Sequence, residues 1–252
     1  MKQTIFASDL DNTLIFSYKH ALDSDLCVEY LDGKPQGYLP PTAPAMLEEL
    51  MENALFIPVT SRSVEQYLRI QFPLRCRPRY GAAANGGILL DGGAVDQVWR
   101  QESLELVRPW RQAIEEVLAA LGKQPQAKRF RMVDELFVCA ACDGPQEALT
   151  LREKLRNRTP LDVEVTGRKV YCFPPSMHKG AAVDRLRARF GAERVICAGD
   201  SPIDRPMLER ADVAIVPHGQ LAQGLPCPER AVCGPGERFY EFVLRQAAAR
   251  IG

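Results

Sequence analysis

Short apolar runs alternate along the chain with longer stretches in which apolar residues recur at helical spacing. Residues 5–7, Ile-Phe-Ala, predict a buried strand, and residues 55–60 predict another. A helix is predicted over 43–54 and a second over 63–72. The same alternation returns after residue 179, with helices predicted over 180–190, 203–211 and 237–250 and strands over 194–200 and 213–217.

Two segments between these elements have the pattern of hairpins. Asp32-Gly33 stands between β-favouring runs in residues 27–39, and this dipeptide favours a tight turn. Glycines punctuate residues 80–93, where a strand and a hairpin are predicted. Because the first hairpin follows the opening strand, we expect it to help shape a cleft at the end of that strand.

The middle of the chain has a different pattern. A helix is predicted over 103–121, with Pro109 as a kink or a first turn. Residues 128–141 and 161–174 each predict two strands about a tight turn, and a helix is predicted over 145–158. A helix-strand-strand unit therefore occurs twice, which predicts a four-stranded antiparallel sheet covered by two helices.

These patterns together predict an α/β fold with two domains. Strands that alternate with helices on both sides of the middle region favour one doubly wound, mostly parallel sheet. We expect residues 1–98 and 176–252 to form this core, and residues 99–175 to form an inserted α+β domain. Ligands bind beyond the carboxyl ends of the strands in such sheets, so the polar residues there are the candidates for function.

The opening strand ends in two carboxylates. Asp9 and Asp11 are separated by one leucine, so the period of two along a strand puts both on the same side. Two like charges held close disfavour joint ionisation, so a compensating charge is needed. The other strand ends and helix starts carry hydroxyls, basic groups and two further carboxylates: Thr60, Ser61, Arg62, Lys179, Asp200 and Asp204.

Each of these residues alone also fits an ordinary structural role. Thr60 or Asp204 is a typical helix N-cap, and a single lysine such as Lys179 is usually solvated. A lone pair of aspartates is common in solvated turns. Polar residues of this kind occur at four places in the sequence: residues 9–13, 60–62, 179 and 200–204. Their joint occurrence, in this order, at strand ends or helix starts of one sheet favours a functional site.

Composition and charge narrow the classes of function. The chain has 252 residues, 46% of them apolar, and its 32 basic residues equal its 32 acidic residues. This balance lacks the basic excess expected of a nucleic-acid binder. No apolar run reaches the roughly 18 residues of a membrane span, and charged residues come too early for a secretory signal. We therefore expect a cytoplasmic protein with its eight cysteines reduced.

The ordered polar residues resemble the motifs of the haloacid dehalogenase (HAD) superfamily of phosphohydrolases. The segment 9–13, Asp-Leu-Asp-Asn-Thr, matches the first motif, Thr60 the second, Lys179 the third, and residues 199–204 the fourth. The insertion is similar to the α/β cap of the subgroup with sucrose-phosphate phosphatase, mannosyl-3-phosphoglycerate phosphatase and Cof-like phosphatases. The resemblance implies a HAD-like core, a cap domain, and a phosphatase acting on a small phosphate ester, such as a sugar phosphate.

The resemblance also implies roles for single residues. Asp9 would be the nucleophile and form an aspartyl-phosphate, while Asp11 would give a proton to the leaving alcohol and take one from water. The phosphoryl group would be bound by four residues: Thr60, Ser61, Arg62 and Lys179. Mg²⁺ would be held by Asp9, by the backbone carbonyl of Asp11, by Asp200 and, from further out, by Asp204.

Some alternatives stay open at this stage. The second aspartate, Asp11, argues against dehalogenation, because a halide leaves without a proton. A phosphotransferase or phosphomutase shares every core motif, and a non-catalytic phosphometabolite-binding protein is a third possibility. Ile203 departs from the asparagine common in the subgroup. A basic set in the insertion, Arg129, Arg131, Arg168 and Lys169, is either a substrate contact or a solvated strand face.

Overall fold

Residues 3–251 are described by a computed structural model, and they divide into two compact units. Residues 3–95 and 179–251 form one unit, and Asp96–His178 form the other. The second unit is therefore inserted in the sequence of the first. The sequence predicted an insertion over residues 99–175, and those exact domain limits stay a prediction.

The first unit begins with short strands and two helices. The elements in chain order are β1 (Thr4–Ser8), β2 (Phe16–Ser17), β3 (Leu26–Leu31), β4 (Lys34–Leu39), α1 (Ala43–Asn53), β5 (Leu55–Pro58), α2 (Val64–Leu68), β6 (Tyr80–Ala83), β7 (Ile88–Asp91) and β8 (Ala94–Val95). Strands β2, β4 and β3 form one antiparallel sheet, and β6, β7 and β8 form another.

The inserted unit contains three helices and four strands. These are α3 (Gln97–Val107), α4 (Arg111–Leu121), β9 (Arg129–Val133), β10 (Phe137–Ala141), α5 (Pro145–Arg156), β11 (Asp162–Thr166) and β12 (Lys169–Phe173). The strands form one antiparallel sheet in the order β11-β12-β10-β9. Helices α4 and α5 pack against this sheet. The predicted four-stranded sheet with two covering helices is confirmed.

The chain then returns to the first unit. Its remaining elements are α6 (Lys179–Phe190), β13 (Arg194–Ala198), α7 (Arg205–Leu208), β14 (Val213–Val216), α8 (Gly219–Ala222), β15 (Glu229–Val232) and α9 (Phe239–Ile251). Strands from both halves form one parallel sheet in the order β15-β14-β13-β1-β5. This sheet confirms the predicted fold class.

Strand β1 lies between β13 and β5, so it is covered on both edges as well as both faces. Ile5, Phe6 and Ala7 have no exposed surface, and Phe6 stacks on Phe56 of β5 with 5.4 Å between ring centroids. An uninterrupted apolar run is what a parallel strand with two buried faces requires. The residue that follows this strand is therefore held between the ends of β13 and β5.

Two predicted helices differ from the observed ones. The helix expected over 103–121 begins earlier, at Gln97, and is interrupted by a 3₁₀ turn at Arg108–Trp110, because Pro109 cannot continue the helical hydrogen bonding. The helix expected over 63–72 ends at Leu68. Three residues later the backbone instead pairs with the hairpin, where the Gln71 amide donates to the carbonyl of Val28 over 2.7 Å.

The hairpin predicted at Asp32-Gly33 is confirmed. Asp32 and Gly33 both have positive φ, 51° and 73°, as the tight turn between β3 and β4 requires.

All eight cysteines lie in the described residues and are free thiols. Between residues 3 and 251, no helix combines the length and the apolar character that a membrane crossing needs. The cytoplasmic location stays a prediction.

Candidate active site

Asp9 lies at the carboxyl end of β1, an interior strand of the parallel sheet. Its amide donates to the carbonyl of Ala198, at the end of β13, over 2.9 Å, so the parallel pairing continues up to the site. Asp9 is 6% exposed. A buried carboxylate needs a partner, because transfer of a charge out of water is costly.

Lys179 is that partner. It is the first residue of α6, is 2% exposed, and lies between two carboxylates: its Nζ donates to Asp9 Oδ1 over 2.5 Å and to Asp204 Oδ1 over 2.6 Å. Two carboxylates thus share one buried ammonium. The structure brings together residues that are 170 and 25 positions from Lys179 in sequence.

The second oxygen of Asp204 is held by the loop that follows β13. Asp204 Oδ2 accepts hydrogen bonds from the Asp200 amide over 3.1 Å, the Ser201 amide over 3.0 Å and the Ser201 hydroxyl over 2.9 Å. Asp204 is fully buried. Both of its oxygens are therefore used inside the protein, and Ser201 is the N-cap of the 3₁₀ turn Pro202–Asp204.

Asp200 completes an acidic cluster beside this lysine. One ligand atom from each of Asp9, Asp200 and Asp204 lies within 4.8 Å of the others. The Thr13 hydroxyl donates to Asp200 Oδ1 over 3.4 Å. Carboxylate oxygens are hard ligands, the type that Mg²⁺ binds. The donors fit a divalent cation, with Asp9 and Asp200 better placed as direct ligands because Asp204 is saturated by hydrogen bonds.

The electrostatics of the cluster show an excess of negative charge. Burial raises the pKa of Asp9 well above its usual value; Lys179 opposes this rise, and the neighbouring aspartates add to it. Burial, together with Asp204, raises the pKa of Asp200 to about 7. Burial alone would lower the pKa of Lys179, but the two carboxylates outweigh it and raise that pKa. A bound cation would relieve the repulsion among the aspartates.

Asp11 has a different environment, with its side chain 44% exposed. Arg62 holds it in a bidentate ion pair: Nε donates to Asp11 Oδ2 over 2.9 Å and Nη2 to Oδ1 over 2.7 Å. Both oxygens of the carboxylate are thus oriented by one planar group. The sequence placed Arg62 at the phosphoryl group, and in the structure it is paired with Asp11.

Glu29 is a residue of this network that the sequence analysis missed. Its Oε2 lies 2.9 Å from Nη1 of Arg62, and it is 3% exposed. A register shift in the pairing of β3 with β4 at Glu29 lets both Val28 and Glu29 face inward. Regular alternation along a strand would bury only one of Val28 and Glu29. The only sequence signal for a buried Glu29 was therefore a glutamate among apolar strand residues.

Thr60 lies at the end of β5, next to β1 in the sheet. It is fully buried, its hydroxyl accepts from the Arg62 amide over 3.2 Å, and its carbonyl accepts from the Asn85 amide over 2.7 Å. Ser61 is partly exposed. Asn85 is 1% exposed and has a left-handed backbone conformation, with φ of 58°.

The basic set, for which the sequence left open a substrate contact or a solvated strand face, lies in the inserted unit. Arg129 and Lys169 flank Ala141 across three strands, and Arg131 pairs with Cys139 in the next row of the same face. Arg129, Arg131 and Lys169 are exposed, and Arg168 is in the turn between β11 and β12. Their role toward substrate stays a prediction. Ile203 is 7% exposed and is a packing residue here.

Comparison with solved structures gives the same fold. The sucrose-phosphatase from Synechocystis sp. PCC6803, solved with sucrose and phosphate, superposes with a TM-score of 0.62 at 18% identity, over 100% of this chain and 98% of that one. The trehalose-6-phosphate phosphatase of Aspergillus fumigatus gives 0.54 at 13%, over 99% and 92%. A HAD-superfamily phosphatase from Bacteroides thetaiotaomicron gives 0.56 at 12%, over 98% and 96%.

Comparison by sequence alone, by contrast, finds no match. No protein-family model matches the chain, and no curated protein matches it. The expected HAD-like fold, with a core and an inserted α+β unit, is therefore confirmed by structural likeness.

Proposed function

We propose that this chain is a Mg²⁺-dependent phosphatase that hydrolyses a small phosphate monoester through an aspartyl-phosphate intermediate. The observation that carries the proposal is the arrangement of Asp9, Lys179 and Asp204 at the carboxyl edge of the parallel sheet, with Asp200 in the same cluster. A buried carboxylate fixed by a lysine, beside further carboxylates, fits the attack of one anion on another. Such an attack needs a concentrated positive charge.

Asp9 is the proposed nucleophile. Lys179 binds its Oδ1, which leaves Oδ2 to form the bond to phosphorus while the bond from phosphorus to the ester oxygen breaks. In the second step a water oxygen attacks phosphorus and Asp9 leaves as a carboxylate, with inorganic phosphate as product. Lys179 opposes the rise in the pKa of Asp9 and holds its Oδ1 in place.

Asp11 is the proposed proton donor and acceptor. The departing alkoxide takes its proton, and the carboxylate that remains takes a proton from the attacking water. Its bidentate contact with Arg62 fixes the carboxylate plane, so we assign Arg62 to Asp11 rather than to phosphate. Thr60, Ser61 and Lys179 are the proposed phosphoryl contacts.

Asp9 and Asp200 would hold Mg²⁺, together with the backbone carbonyl of Asp11, and Asp204 would orient the loop that carries Asp200. The ion, when bound, supplies positive charge against the phosphoryl oxygens and the nucleophile. The protein residues supply its position and keep water out. This assignment is a proposal that rests on the chemistry of the donors.

A sugar phosphate, or a related metabolite, is the proposed substrate class. The support comes from the neighbours in fold, one of which was solved with sucrose and phosphate.

Phosphate release from a panel of sugar phosphates, with Mg²⁺ or with EDTA, tests the proposal. Wild type should turn over at least one ester only with the metal, and Asp9→Asn should lose that activity. Asp91→Asn, a surface carboxylate paired with Arg79, is the matched control and should keep it. Activity that survives in Asp9→Asn would overturn the nucleophile. Transfer to an added sugar without net release would instead indicate a phosphotransferase, and phosphate-ester binding without turnover would indicate a binding protein.

A further inference from the structure

The hairpin of β3 and β4 contributes a buried carboxylate that the proposed chemistry does not use. Glu29 has a side chain only 4% exposed, and each of its oxygens contacts a different arginine. Oε2 lies 2.9 Å from Nη1 of Arg62, and Oε1 accepts from Nε of Arg69 over 3.0 Å. A carboxylate so enclosed is costly unless both of its oxygens are paired.

The two arginines lie on either side of one short helix. Arg62 precedes α2 (Val64–Leu68) and Arg69 follows it. Glu29 therefore ties both ends of α2 to the hairpin. The opposite strand has a glycine, Gly37, facing Glu29. A Cβ atom there would lie 3.2 Å from Glu29 Oε2 and 2.9 Å from a methyl group of Ile15, so a larger residue would crowd the carboxylate.

The guanidinium of Arg62 is bound on two sides, through four of its five N–H groups. Its Nε and Nη2 hold Asp11, while Nη1 contacts Glu29 and the carbonyl of Gln66, the latter over 3.4 Å. The Arg62 side chain is 10% exposed, whereas that of Asp11 is 44% exposed. The rigid part of this chain of charges is therefore Glu29 with Arg62, and the part that faces solvent is the carboxylate of Asp11.

We propose that Glu29 is a positioning residue that acts through Arg62 to fix the carboxylate of Asp11. This inference rests on the proposed function, because the benefit appears only if Asp11 transfers a proton. Without Glu29, the guanidinium keeps its bonds to Asp11 but loses the anion on its other side. The fork can then rotate, and Asp11 rotates with it.

Two substrates with different leaving groups distinguish a positioning role of Glu29 from a purely structural one. An alkoxide needs the proton of Asp11 in order to leave, whereas p-nitrophenolate is stable enough to leave without it. In single-turnover experiments with Glu29→Gln, we expect alcohol release from a sugar phosphate to fall by roughly tenfold or more, as part of the about 100-fold or larger effect of a general acid. Release of p-nitrophenol from p-nitrophenyl phosphate should change by less than about threefold.

Two further variants complete the test. In an Asp11→Asn background, Glu29→Gln should have no further effect on alcohol release, because a residue that acts through Asp11 cannot act without it. Arg69→Gln removes the other partner of Glu29 and should leave the ratio of the two release rates near that of wild type. All rates are taken per active site, so a loss of folded enzyme does not move the ratio.

Equal losses on both substrates, or an additive effect in the Asp11→Asn background, would overturn the inference. If wild type releases phosphate from no ester, the proposed function fails, and a crystal structure of Glu29→Gln then decides the geometry. An Arg62–Asp11 pair in its wild-type position in that structure would reject Glu29 as the positioning group, whereas a displaced Asp11 carboxylate would retain it.

Discussion

Gly199 approaches Asp204 so closely that a Cβ atom on residue 199 would lie 2.4 Å from Asp204 Cβ. Asp204 is fully buried, and its oxygens hold both Lys179 and the loop of Asp200, so it cannot move aside freely. A methyl group at residue 199 would displace this network.

Gly199→Ala should therefore lower the free energy of unfolding by about 1–3 kcal/mol, the usual cost of overpacking. Equilibrium unfolding in urea measures the change. Gly219→Ala is a suitable control, because nothing lies within 4 Å of a Cβ atom there. Equal stabilities for the two variants would show that the loop yields easily.

Removal of Lys179 should destabilise the metal-free protein. Lys179→Gln leaves Asp9 and Asp204 buried without their shared ammonium, and breaking a buried ion pair costs about 3–5 kcal/mol. Urea unfolding in EDTA gives the difference from wild type. Lys19→Gln, on the surface, should change stability by less than about 0.5 kcal/mol. A Lys179→Gln protein as stable as wild type would contradict the arrangement.

The stabilisation by Mg²⁺ should increase with pH. The pKa of Asp200 is raised to about 7, above its value in the unfolded chain, and that of Asp9 is raised too. Protonation of these groups thus favours the folded state below the unfolded pKa, and the contribution is lost as pH rises through about 7.

Metal-free protein should therefore lose stability between pH 5.5 and pH 8, and Mg²⁺ should restore more of it at pH 8. Thermal unfolding with EDTA and with MgCl₂ at both pH values measures this. In Asp200→Asn the pH dependence of the metal effect should weaken. An equal or larger effect of Mg²⁺ at pH 5.5 would contradict the assignment of Asp200 as a ligand.

Asp200 and Asp204 should differ in their effect on metal affinity. Asp204 already accepts bonds from Lys179, Ser201 and the Asp200 amide, so its proposed effect on the metal is through its neighbours. Asp204→Asn should weaken Mg²⁺ binding by about 10–100-fold, as outer residues of metal sites do, and Asp200→Asn should weaken it further. Calorimetric titration with Mg²⁺ ranks the two. The reverse order would make Asp204 the direct ligand.

The acidic cluster could be predicted because its parts follow local rules. Asp9 directly follows a run of buried apolar residues, and Asp200 follows another, so each position was fixed by the end of its own strand. Parallel pairing of β1 with β13 then brings the two ends together. The position of Lys179 could be predicted in the same way, because it stands at the start of a predicted helix.

The network around Asp11 could not be predicted so fully. Its partner Arg62 is 51 residues away, and which side chain it faces depends on the packing of α2. The burial of Glu29 depends on an irregular register in the hairpin, which no periodic pattern encodes. Pro109 had two interpretations in the sequence, a kink or a first turn, and the structure has a 3₁₀ turn there, between α3 and α4.

The position of β1 in the sheet also sets an order of events during synthesis. One of its edges pairs with β5, which emerges soon afterwards, but the other pairs with β13, which is made only after the whole inserted unit. Until Ala198 leaves the ribosome, the strand that carries Asp9 has an open apolar edge, a surface prone to wrong pairing. The insertion therefore lengthens the time for which the newborn chain is vulnerable to aggregation.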